Sequence, residues 1–280
     1  MKDRFFRIDK GFSLVELLVA LVIMSFLVGA FYRTFLGQQR IYNIEDQVVD
    51  MRQNLRASIL QMAKKIRSAG YGGDILGCFG NVNGFTSILT PADNADNVGT
   101  GDDSITVIIA DEVSMLTQNA AKGSSQLNLS NADSIFDTGT KKYLCLNGKN
   151  NNLVQNVSGN TVTLAAPLAE DHLIGEPVSL VKAITYKLQW DDISPAMPVL
   201  VEDENTGVGN QVVAENIERL QFHYTLSDGT VTDSPATPAN IRMVKVDITA
   251  RTTMPDPQFS GDGYRRRELS SFVTVRNLAL

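Results

Sequence analysis

Few side chains in this sequence stand where they could do chemistry. Glu16 is the one charge within FSLVELLVALVIMSFLVGAF, the run from Phe12 to Phe31. A carboxylate inside a lipid-facing helix costs about 2.5–3.5 kcal/mol on insertion scales, so it marks a functional position. Cys78 and Cys145 form an even pair. In an oxidising compartment such a pair suggests a disulfide, and elsewhere two buried thiols. His172 lies in the loop-like EDHLIG, and His223 sits between Phe222 and Tyr224 in an alternating run. The latter is a place for a sheet-surface residue rather than a catalytic base. Two Cys and two His at these spacings fit no zinc pattern. There is no G-x-S-x-G, no H-E-x-x-H and no phosphate loop. Asp191-Asp192 and Glu202-Asp203-Glu204 read as solvated turns. The stretch from Asp93 to Ser104 gathers four carboxylates but lacks EF-hand spacing and its terminal Glu. It reads as a solvated Asx-rich turn. No catalytic residue, metal or cofactor is expected.

The elements that must position Glu16 are legible around it. The apolar run is roughly 20 residues long, enough to span a bilayer as a helix. Ahead of it, Lys2, Arg4, Arg7 and Lys10 outnumber Asp3 and Asp9 by two charges. That excess keeps the leading segment cytoplasmic. Beyond Phe31 the sequence turns polar but keeps a stripe at Ile41, Ile44, Val48, Met51, Leu55, Ile59, Met62 and Ile66. Gaps of three and four residues mark one face of a helix. No proline occurs before Pro91, and Gly70, Gly72 and Gly73 supply a stop. The pattern predicts one helix over 12–69, roughly 85 Å long. Its part 12–31 spans lipid or a filament core. Its part 32–69 is amphipathic and carries a sheet. Arg52, Arg56, Lys64, Lys65 and Arg67 read as its solvated face.

A connecting loop is expected from Tyr71 to about Gly101. Strands follow at Ser104–Ala110, Lys141–Leu146, Leu153–Val157, Thr161–Leu164, Val178–Trp190, Val199–Val201, Ile217–Leu226, Ile241–Arg251 and Leu269–Val275. Ser227-Asp228-Gly229-Thr230 is a hairpin turn. With no helices between them, these runs predict an antiparallel sheet domain over 70–280. The net charge of −6 leaves no basic surplus to neutralise phosphates, so nucleic acid is not expected as a partner.

The N-terminal residues G-F-S-L-V-E, Gly11 to Glu16, resemble the class III signal of type IV pilins and type II secretion pseudopilins. The resemblance implies a leader, 1–11, cut after Gly11 by a prepilin peptidase. Phe12 then becomes an N-methylated N-terminus, and Glu16 serves subunit assembly. Further blocks resemble PilW-type minor pilins: MRQNLRASILQMAKKIRSAGYGG, GDDSITV, VAENIERLQFHYTLSDG, IRMVKVDITART and RRRELSSFVTVRNL. The middle, Ser114 to Ser179, matches no block.

The implied fold is α+β and type IV pilin-like: a long N-terminal helix, membrane-spanning in its first half, packed on a C-terminal antiparallel sheet domain. The implied function is that of a non-enzymatic minor pilin. It would prime type IV pilus assembly at or near the tip and support twitching motility. The implied partners are other minor pilins, the major pilin, the inner-membrane assembly platform and inner-membrane lipid. The chain would cross the inner membrane once, with a periplasmic head, before entering the pilus. There, Cys78 and Cys145 would form a bridge closing about 67 residues, worth roughly 4 kcal/mol by chain entropy. Two alternatives stay open: a GspJ-type pseudopilin of a secretion system, and a pilus-tip adhesin or DNA-uptake subunit. Many major pilins carry a proline about twenty residues into the mature chain, and here Arg33 stands in that neighbourhood.

Overall fold

A computed structural model describes residues 13–95, 101–194 and 197–278. The chain divides into two units, Met1–Val49 and Asp50–Leu280. Helix α1, Leu14–Arg67, runs through both. In the first unit it is apolar all round near its start. Leu14, Phe26 and Phe31 are 78, 75 and 73% exposed. A helix of this kind is stable only against lipid or against other apolar helices.

In the second unit α1 buries Met51, Leu55, Ser58, Ile59, Met62, Ala63 and Ile66. This is the second half of the expected stripe. Ile41, on the first half of the stripe, is 58% exposed. Within the second unit the sheet-bearing face begins at Met51.

After α1 come the one-turn helix α2, Ile75–Phe79, and the strands β1, Leu89–Ala92, and β2, Ser104–Met115. The expected connecting loop thus holds structure of its own. Next are β3, Gln126–Asn128, and the one-turn helix α3, Ala132–Ile135. The series continues through β4, Tyr143–Leu146, β5, Asn150–Ser158, β6, Thr161–Leu164, and β7, Pro177–Trp190. Strands β8, Pro198–Asp203, and β9, Asn210–Glu215, complete a nine-stranded sheet. A second sheet has four strands in the order β11-β10-β12-β13. These are β10, Ile217–Leu226, β11, Val231–Thr232, β12, Ile241–Arg251, and β13, Arg266–Thr274. The hairpin turn between β10 and β11 lies where the sequence places it, with Gly229 at φ 84°.

Every strand pair is antiparallel. The long strand β7 is the spine of the larger sheet: it pairs with β2, with β4 near its start and with β8 near its end. The segment that resembled no known block folds around a core of its own, in which Leu127, Leu144, Val162 and Val178 are fully buried. The architecture is the α+β one expected, a long helix whose later part packs on antiparallel sheet, but it has two sheets and short intervening helices.

Candidate functional site

Gly11 and Phe12 lie outside the described residues. The helix start just after them has a definite geometry. The Ser13 backbone N–H donates to Glu16 Oε2 at 2.9 Å, and the Glu16 N–H donates to Ser13 Oγ at 3.2 Å. This is a capping box: each side chain satisfies a backbone donor that the first turn leaves without a partner. It is written in the sequence as S-x-x-E before an apolar run. The role given to the Glu16 charge obscured that signature, and Ser13 was missed. From Leu14 onward the helix is long and apolar enough to cross a membrane.

Two polar clamps hold the later part of α1 to the larger sheet. The Gln61 amide donates to Glu202 Oε2 at 2.6 Å, and the Tyr186 hydroxyl donates to the same oxygen at 2.7 Å. Burial, then Glu202, pushes the Tyr186 hydroxyl far above its ordinary pKa, so it stays a donor. Beside this clamp, Lys65 Nζ lies 2.7 Å and Lys182 Nζ 3.2 Å from Asp111 Oδ2, and Lys182 also pairs with Glu204. Burial pushes the Asp111 carboxyl up, but Lys65 and Lys182 together pull it below its ordinary value. The expectation of a solvated turn therefore fails for Glu202, which is 7% exposed. Lys65 likewise leaves the solvated face expected of it.

The acidic stretch before β2 is also structural where it is described. Asp102 Oδ1 accepts the Leu220 N–H and Asp103 Oδ2 accepts the Phe222 N–H, each at 2.8 Å. The Asp103 N–H donates to the Leu220 carbonyl at 3.0 Å. Both side chains are buried, and they join β10 of the second sheet to the start of β2. Burial raises the Asp103 carboxyl, against the bonds from Phe222 and Asn94. These two carboxylates are not the solvated turn the sequence suggests. Among the described residues no group of three or more His, Cys, Asp or Glu side chains could hold a metal.

The expected bridge is not formed: Cys78 and Cys145 are both free thiols. Cys78, exposed on α2, points its Sγ at the Asn151 carbonyl, 3.4 Å away. Cys145, buried in β4, points its Sγ at the Gly72 carbonyl, 3.5 Å away. Each thiol is turned to a different backbone acceptor instead of to its partner. Burial pushes the Cys145 thiol up to about 11. His172 is buried rather than in an open loop; its Nδ1 lies 2.7 Å from Glu176 Oε2. His223 lies on the sheet surface between Asp233, 2.5 Å from Nδ1, and Asp247, 3.2 Å from Nε2.

The site the sequence singled out is thus a helix N-terminus with a bound carboxylate, followed by bare apolar surface. Residues 7–32 match the family model of the prokaryotic N-terminal methylation motif. The chain carries a type IV prepilin-like N-terminus. The match takes in Gly11, Phe12 and Glu16 and stops before the sheet-bearing part of α1. It implies processing by a prepilin peptidase and use of pilus or pseudopilus assembly machinery in general. Together with the apolar helix it marks a membrane-anchored, type IV pilin-like protein. No curated protein matches the chain.

Proposed function

We propose that this chain is a minor pilin of the PilW type, a structural subunit without catalytic activity. It joins sister minor pilins in the inner membrane, primes type IV pilus assembly and stays at or near the tip, supporting twitching motility. The observation that carries the reading is Glu16. It is the one carboxylate at the head of a helix whose apolar side chains, from Leu14 to Leu36, are exposed among the described residues. A prepilin peptidase cuts after Gly11 and frees the Phe12 amine, which is then methylated. Ser13 occupies Glu16 Oε2, so Oε1 is the atom left for the Phe12 amine of a neighbouring subunit. A buried ion pair of this kind is tolerated when both charges are matched, and it sets the stagger between subunits. The sheet domain, held to α1 by its two clamps, then protrudes as the periplasmic head and makes the subunit-specific contacts.

The experiment is N-terminal sequencing of the mature protein together with the variant Glu16→Gln. Mature protein should begin at methylated Phe12. Glu16→Gln should be inserted and cut like wild type, yet co-purify far less with partner pilins and reduce the number of surface pili. Normal co-purification and normal piliation in that variant would remove the assembly role of Glu16. Normal pili with loss of a secreted substrate in a deletion strain would favour a GspJ-type pseudopilin instead.

A further inference from the structure

Among the described residues the two sheets end in five edge strands, and four of them are poor templates. β11 has two residues, β3 has three, and β1 has four with Pro91 among them. β9 is broken by a register shift against β8. β13 differs. It has nine residues, contains no proline and pairs with β12 without a shift. Long, flat, regular edges invite pairing with another chain, and proteins normally blunt them.

The register says which backbone groups of β13 are open. The Val275 N–H donates to the Arg242 carbonyl, and the Thr252 N–H donates to the Arg265 carbonyl. Both fix the odd-numbered residues of β13 as the ones bonded to β12. Opposed pairs alternate in an antiparallel ladder, so the even-numbered residues turn their N–H and C=O groups outward. Arg266, Glu268, Ser270, Phe272 and Thr274 therefore present an unpaired row.

Beside that row lies a groove of about 220 Å³ between α1 and β13, lined by Arg52, Leu55, Arg56, Arg267, Glu268 and Leu269. Three arginines and one glutamate are among its lining residues. Arg52 and Arg56 are one turn apart on α1, a like-charge pair that destabilises a helix unless something answers it. Neighbouring Arg266 is answered, by Glu218 and Asp262. Arg52, Arg56 and Arg267 form no ion pair among the described residues. The spacing of the helical pair is about 6 Å of rise. Alternate residues of an extended strand stand roughly 6.6–6.8 Å apart, a close match.

We infer that the outer edge of β13 accepts an extended segment of a neighbouring pilin subunit as an added strand. Carboxylates at alternate positions of that segment engage Arg52, Arg56 and Arg267. An open strand edge next to the charges favours a peptide over a lipid headgroup, which could use the arginines but not the backbone row. Phe272, 62% exposed on the same strand, offers the added strand an apolar neighbour.

The inference rests on the reading of the chain as a filament subunit, and the test separates the two. The probe is Phe272→p-benzoylphenylalanine in the full chain, photo-cross-linked in piliated cells, with the linked peptide sequenced. It should belong to another pilin subunit and carry carboxylates two residues apart. Ser270→Pro removes an outward N–H, together with the hydroxyl that bonds Asp247, and leaves the backbone bonds to β12 intact, a position where an edge strand tolerates proline; Ser270→Ala removes the hydroxyl alone. The proline variant, and separately Arg52→Glu with Arg56→Glu, should lower the cross-link yield at least tenfold, while Ser270→Ala should not. Should Ser270→Pro lose the trypsin resistance of the head, the helix variant decides. A link to lipid, to a second copy of this chain or to a segment without carboxylates overturns the inference. Unchanged yield in the deciding variants overturns it as well, while Glu16-dependent assembly would leave the pilin reading standing. A chain that never enters filaments overturns both.

Discussion

Gln61 and Glu202 stand 141 residues apart in the chain and meet at 2.6 Å. Glu202 also holds the Tyr186 hydroxyl, so one carboxylate ties helix α1 to two adjacent strands. Glu202→Ala orphans the buried Tyr186 hydroxyl, at about 1–3 kcal/mol, while the amide of Gln61, an exposed residue, turns to water. Tyr186→Phe removes one bond and should cost only about 1 kcal/mol. Urea unfolding of the detergent-solubilised chain, followed by the fluorescence of its single tryptophan, Trp190, measures both.

The neighbouring clamp makes stability depend on pH. Asp111 titrates lower when folded than its ordinary 3.8. Its contribution is therefore present above pH 3.8 and is lost as pH falls through the depressed folded value. Asp111→Asn should be less stable than wild type at pH 7, and the two should converge in strong acid. Lys182 shifts the other way: burial lowers it, but Glu204 and Asp111 raise it above 10.5 overall. Its share holds below pH 10.5 and fades as pH rises beyond that. Unfolding midpoints recorded across pH for wild type and variant check both arms.

The two thiols should be distinguishable by alkylation. Cys78 is exposed and Cys145 is buried, with its thiol held protonated up to about pH 11. Iodoacetamide at pH 8 should add one group to native protein, at Cys78, and two after denaturation without reductant. No adduct in the denatured, unreduced sample would mean that the bridge forms after all.

The buried stripe of α1 predicts a contrast between close neighbours. Met62 is fully buried, and Leu60 is 70% exposed. Met62→Ala should destabilise the head by about 2–5 kcal/mol through lost burial and the cavity left behind. Leu60→Ala should stay within about 0.5 kcal/mol of wild type. The same Trp190-monitored unfolding applies.

Periodicity made the later part of α1, β10 and β12 legible, because each buries one face and leaves the other less buried at a regular spacing. It reached only part of an element where burial does not alternate. Of β5, NNNLVQNVS, only Leu153–Val157 reads as a strand, and Asn150–Asn152 join it through their pairing with β4. The buried carboxylates of Asp102, Asp103 and Glu202 looked like solvated turns because their partners lie far along the chain. Leu220 is 118 residues beyond Asp102. At Glu16 the signal is local: S-x-x-E spells out the capping box, and the same side chain is also a charge within an apolar run, so one residue carries two readings.

The Asn277 amide donates to the Ala69 carbonyl at 3.0 Å, across 208 residues. Ala69 lies in the turn just past the end of α1, and its carbonyl is met by a residue translated long afterwards. On the proposed pilin reading, the chain is exported with α1 leading, and the Asn277–Ala69 bond closes only after both sheets have followed. Contacts of such long sequence separation form slowly, and until they do the regular edge of β13 has no finished head to stand on. On that reading the fold times its own readiness for partners: a half-exported subunit would offer no competent edge.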